Sequence, residues 1–103
     1  MENTTNITNK PTNKTVKAKV KRVLDGDTFE TDAGEMIKLN NVYAPGNGKD
    51  GAEAATQKLR SLINKENVTI IKIGTSDDIT VANVKHDDKS VNKKMKDFLK
   101  RKK

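Results

Sequence analysis

Val16-Lys17-Ala18-Lys19-Val20-Lys21-Arg22-Val23-Leu24-Asp25-Gly26-Asp27-Thr28-Phe29-Glu30-Thr31 decides how this chain folds. Val16, Ala18 and Val20, and then Val23 and Leu24, fall on one side, while Lys17, Lys19 and Lys21 fall on the other. That period of two marks a half-buried strand beginning at Thr15. Asp25-Gly26-Asp27 is a turn signal, and Thr28 to Thr31 resumes as a second strand. Asp32-Ala33-Gly34 makes a second hairpin turn and Met36 to Val42 a third strand, giving a three-stranded meander.

Beyond the meander, Ala44-Pro45-Gly46-Asn47-Gly48-Lys49 breaks the chain. Asp50, with Glu53 three residues on, has the form of a capping box. Ala52, Ala55, Leu59, Leu62 and Ile63 then recur at helical spacing, so residues 51 to 64 read as an amphipathic helix with Leu62 on its inward stripe. Val68 to Ile73 reads as a fourth strand, Gly74 to Asp78 as a turn, and Ile79 to Val84 as a fifth strand. Val91, Met95, Phe98 and Leu99 give a last helix, with Ser90 or Asp88 as its N-cap. Three strands, a helix, two strands and a helix make a mainly β protein with some α, a five-stranded barrel of the OB type with a helix between strands 3 and 4 and a C-terminal helix.

In the other direction, residues 1 to 14 are rich in Asn and Thr, carry a single Ile and show no period. They read as a disordered tail ahead of one domain spanning 15 to 103. The Asn-X-Thr sequons at Asn3, Asn6 and Asn13 follow from that bias. The start has no basic-then-apolar leader, and no run of 18 apolar residues occurs, so the expectation is a cytoplasmic monomer without a membrane span. The absence of Cys removes disulfides, thiolate catalysis and cysteine zinc sites, and the lone His86 cannot build a multi-histidine metal site.

Charge is divided unevenly. Residues 1 to 88 hold 13 Lys/Arg and 13 Asp/Glu, so the whole net charge of +7 lies in residues 89 to 103. Lys89, Lys93, Lys96 and Lys100 recur at helical spacing opposite Val91, Met95 and Phe98, and Arg101 follows. A field localised in this way attracts polyanions or acidic surfaces, though a solvated helix face has the same composition.

Candidate chemistry is sparse. Two carboxylates flanking Gly26 can offer oxygen to a hard cation such as calcium, and the same residues make an ordinary hairpin turn. His86-Asp87-Asp88 reads as a strand-to-helix turn with capping acids or as an acid, base or ligand group; Asp77-Asp78 reads as a solvated turn or a displaced metal site. Tyr43 reads as a base-stacking platform or as a packed loop residue. Aromatic residues are too few for a stacking-based single-strand binder, so binding would be electrostatic and weakly selective.

The sequence of motifs is more specific than any one of them. Val23-Leu24-Asp25-Gly26-Asp27-Thr28-Phe29, a Gly-containing hairpin, Ile37-Lys38-Leu39, Tyr43-Ala44-Pro45, Gly51-Ala52-Glu53-Ala54-Ala55 opening a helix, and Val68-Thr69-Ile70 together resemble the staphylococcal nuclease family over residues 16 to 99. The resemblance implies an OB-type barrel and, in members similar in full, calcium-dependent cleavage of DNA or RNA phosphodiesters. It makes Asp27 a calcium ligand and Asp25 its supporting acid. It puts Lys38 at the phosphate-binding arginine position, Tyr43 at the second calcium carboxylate, Gly46 at the general base, and Ile79 near the second arginine. With those catalytic positions replaced, the resemblance implies a degenerate, inactive nuclease, without a cofactor or with weakly bound calcium at Asp25 and Asp27. The leading expectation is a weak, nonspecific binder of DNA or RNA through Lys38, Lys89, Lys93, Lys96, Lys100 and Arg101. The alternatives are a calcium-dependent nuclease of low activity and a protein-interaction domain whose basic helix meets an acidic partner.

Overall fold

The computed structural model describes residues 14–46 and 48–101. Of the tail expected over residues 1 to 14, residues 1 to 13 lie outside them, and Lys14 belongs to the first strand, paired with Lys72. The described residues form β1 (Lys14–Asp25), β2 (Thr28–Thr31), β3 (Met36–Leu39), α1 (Ala52–Ile63), β4 (Asn67–Ser76), β5 (Ile79–His86), β6 (Lys89–Ser90) and α2 (Val91–Arg101).

The meander β1-β2-β3 is antiparallel, β1 also pairs with β4, and β4 with β5. A parallel pairing of β3 with β5, with Ile37 opposite Thr80 and Leu39 opposite Ala82, closes the sheet. The result is a closed five-stranded mixed barrel, OB-like, with β6 as a short extra strand on β5. Closure removes the exposed sheet edges that would otherwise recruit other chains.

Register irregularities explain the side-chain pattern. β1 shifts register against β2 between Val20 and Arg22, so the inward face moves from Val16, Ala18 and Val20 to Val23. A second irregularity falls between Lys72 and Gly74 in β4, which runs three residues past Ile73, so the turn expected over Gly74 to Asp78 is confined to Asp77 and Asp78. β3 ends at Leu39 rather than Val42, because Asn41 takes a left-handed conformation (φ 62°) and Val42 enters the core from a turn.

One core unites barrel and helices. Val20, Phe29, Ile37, Leu39, Ile70 and Val84 from the strands meet Ala55, Leu59 and Ile63 of α1 and Val91 and Met95 of α2. Leu62 is only partly buried; Leu59 and Ile63 take the inward places. Asp50 does not cap α1. The N-cap is Gly51, at φ 86°, with no side-chain hydrogen bond, which leaves Asp50 one residue too early and Glu53 one too early for a reciprocal box. Ser90 does cap α2, its Oγ accepting the Lys93 N–H at 3.1 Å. No helix among the described residues is long and apolar enough to cross a membrane.

Candidate functional site

The β1–β2 turn is built on a close approach. A Cβ on the buried Gly26 would lie 2.6 Å from the Cβ atoms of both Ala44 and Ala55, so only glycine lets the turn sit against the loop after β3 and the start of α1. Asp25 Oδ1 accepts the Asp27 N–H at 3.0 Å. Asp27 is engaged through both oxygens: Oδ1 accepts from Thr28 Oγ1 at 2.8 Å, and Oδ2 accepts the Ala44 N–H at 3.1 Å with the Lys38 ammonium 3.7 Å away. The two carboxyls part in consequence. Burial, reinforced by the neighbouring Asp27, raises the Asp25 pKa. Burial acts in the same sense on Asp27, but hydrogen bonds from Asp25, Ala44 and Thr28 and the charge of Lys38 outweigh it and lower its pKa.

Lys38 Nζ also donates to the Val42 carbonyl at 3.0 Å and lies 5.0 Å from the centre of the Tyr43 ring. It therefore faces the Asp27 turn, beside a carboxylate, a carbonyl and a π-face. Calcium requires about six to eight oxygen ligands. Here two carboxylates stand together, one with both oxygens committed and an ammonium beside it. Among the described residues no group of three or more His, Cys, Asp or Glu side chains could hold a metal ion. The residues present do not fit a calcium centre.

The other positions that the resemblance singles out, Tyr43, Gly46 and Ile79, carry neither a carboxylate nor an arginine. Tyr43 is 76% exposed. Gly46 is exposed and accepts the Lys49 N–H at 3.0 Å. Ile79 is half-buried opposite Ser76, beside the turn of the β4–β5 hairpin. Asp77 and Asp78 form that hairpin's two-residue turn, with φ values of 52° and 66°. Asp87 and Asp88 repeat the device between β5 and β6, at 53° and 63°. Two consecutive positive φ angles are the signature of a type I′ turn, so these acids are turn formers. His86 Nε2 instead lies 3.4 Å from Glu66 Oε1.

At α2, helical spacing is realised in part. Lys93, Lys96 and Lys100 are exposed while Val91 and Met95 are buried and Phe98 half-buried. Lys89 lies in β6, opposite His86, so it does not belong to the helical stripe. The side chain of Arg101 lies outside the described residues. Lys93 pairs with Asp97 at 3.0 Å.

What places this helix is a residue that sequence reasoning missed. Asn92 is buried; its Oδ1 accepts the Val84 N–H at 2.8 Å, and its Nδ2 donates to the Asn40 carbonyl at 2.9 Å and the Ala82 carbonyl at 3.2 Å. One amide thus bolts α2 to the β3–β5 seam. Its signal was a polar side chain three residues before Met95, on the helix's apolar face. Beside it a groove of about 350 Å³ runs between α2 and the seam, with Lys93, Lys96, Asp97 and Lys100 on one wall and Asn40, Asn41 and Asn83 on the other.

Compared with known proteins, the chain matches no family model and no curated protein.

Proposed function

We propose that this protein is a nucleic-acid-binding module, a noncatalytic barrel of staphylococcal nuclease type that holds DNA or RNA weakly and without sequence preference through α2. The carrying observation is where the lysines stand. The first turn of α2 contains no acidic residue, and Lys93 and Lys94 occupy it, both exposed. Cations there oppose the helix dipole, so folding alone disfavours them. Lys96 and Lys100 extend the charge along the same side and line a groove shared with Asn40, Asn41 and Asn83, in which the one carboxylate, Asp97, is paired with Lys93.

The replaced positions support binding without cleavage. Lys38 is engaged with Asp27 and Val42, Tyr43 and Gly46 supply no carboxylate, and Ile79 supplies no cation for a developing phosphorane charge. The exposed Tyr43 adds one flat face for a base.

The test is a salt titration of DNA and RNA binding. Log affinity should fall with log salt, and changing Lys93, Lys96 and Lys100 together to Gln should reduce the slope by about 2 to 3 units while leaving the melting temperature nearly unchanged. Absence of binding at low salt, or an unaltered slope in the variant, overturns the proposal; affinity for an acidic protein alone would make α2 a protein-docking face.

A further inference from the structure

We infer that the groove between α2 and the β3–β5 seam takes the ribose-phosphate backbone of RNA in preference to the backbone of DNA; this deepens, and rests on, the nucleic-acid reading. The groove's polar wall has a defined polarity. Asn83 Oδ1 accepts from Asn40 Nδ2 at 3.5 Å and lies 3.4 Å from Asn92 Nδ2, whose two hydrogens serve the shorter bonds to Asn40 and Ala82. That commits the Asn83 oxygen and the Asn40 amino group to each other. Among the described residues that leaves the Asn83 amino group as a donor and the Asn40 oxygen as an acceptor, on two residues that line the same wall of the groove. A hydroxyl is the group that answers both at once, because it donates one hydrogen bond while accepting another. Ribose presents such a hydroxyl at its 2′ carbon, and deoxyribose has only hydrogen there.

The opposite wall provides for the phosphates. Lys96 and Lys100 stand one turn apart, about 6 Å along the helix axis, and line the same groove, where the Asp97 carboxylate is paired with Lys93. As point charges they would hold phosphates on either side of a sugar seated against the amides. No aromatic or apolar side chain lines the groove, so bases gain nothing by stacking there and the sugar becomes the distinguishing part of the ligand. At about 350 Å³ the groove falls at the lower end of sites that hold small ligands, room for about one nucleotide unit at a time.

The experiment uses the full chain and single-stranded oligonucleotides of one sequence, as RNA, DNA and 2′-O-methyl RNA, in low salt. RNA should bind about 3- to 10-fold more tightly than DNA, the factor that one or two net hydrogen bonds supply. The 2′-O-methyl strand, which keeps the oxygen but lacks the donor hydrogen, should lose at least half of that preference on a logarithmic scale, as should RNA with the Asn83→Ala variant, which removes the amino donor. Changing Lys96 and Lys100 to Gln should weaken RNA and DNA by the same factor and preserve their ratio. Equal affinity of the parent for RNA and DNA, or a full RNA preference retained by the 2′-O-methyl strand, overturns this inference and leaves the general nucleic-acid reading intact. Failure to bind any of the three overturns both. The modified strand requires no substitution in the protein, so the outcome stands even if Asn83→Ala lowers the melting temperature.

Discussion

Asp25 and Asp27 are two residues apart and chemically similar, yet they should respond to the same substitution with opposite signs. Asp25 has a raised pKa, so its contribution to stability is present below the unfolded value of about 3.9 and is lost as pH rises through the folded value. At neutral pH its charge is a burden, and Asn would keep the oxygen that accepts the Asp27 N–H. Asp25→Asn should therefore raise the melting temperature at pH 7 by about 2 °C or more, the response of a domain this size to a few tenths of a kcal/mol, and the gain should vanish below about pH 4. Asp27 has a lowered pKa and four partners around its carboxylate, so Asp27→Asn should destabilise by about 1 to 3 kcal/mol in urea unfolding. Gly26→Ala should cost about 1 to 3 kcal/mol or more, because the added methyl meets two other methyls already packed against the turn. The Asp-Gly-Asp motif was legible in the sequence as a turn; that its glycine answers to crowding from Ala44 and Ala55, 18 and 29 residues away, was not.

At the scale of elements, period and turn chemistry carried most of the reading. Strand alternation revealed the meander, and the inward stripe of α1 gave its place in the core, because both signals are local. The β3–β5 pairing left no such trace: a parallel contact between Ile37 and Thr80 depends on where two separate hairpins end. β6 was hidden for another reason. Its turn is Asp87-Asp88, without the glycine that usually announces two positive φ angles, and the same holds for Asp77-Asp78. Left-handed backbone is costly for a residue with a Cβ. Asp78→Gly should thus stabilise the β4–β5 hairpin by up to about 1 kcal/mol, seen as a higher denaturation midpoint with no change in the urea dependence. A lower midpoint would show that the Asp78 side chain contributes more to the turn than its backbone costs. For the candidate site, the lysine stripe was legible from its helical period, whereas the amide wall was not, since Asn40, Asn83 and Asn92 come from three elements and meet only in the closed barrel.

The whole molecule depends on keeping the barrel shut. Glu35 Oε2 accepts from Thr80 Oγ1 at 2.7 Å and lies 3.1 Å from the Lys72 ammonium, so one carboxylate just before β3 fastens β4 and β5 to the closing seam. Burial alone would raise its pKa, but those two partners lower it. A depressed carboxyl contributes stability above its unfolded pKa, about 4.3, and loses it as pH falls through the folded value. Acid unfolding should therefore begin below about pH 4 with proton uptake by Glu35, and Glu35→Gln should flatten the pH dependence of the melting temperature in that range while lowering stability at pH 7. The ammonium beside Asp27 bears on a different variable, the composition of the medium. A bound ion stabilises a fold by mass action, in proportion to the logarithm of its free concentration over its dissociation constant. A cation that is part of the chain has an effective concentration fixed by the backbone, and no dilution or competitor removes it. With Lys38 in that role, melting curves recorded in excess chelator and in millimolar calcium should superimpose, and the β1–β2 turn should keep its shape wherever calcium is scarce.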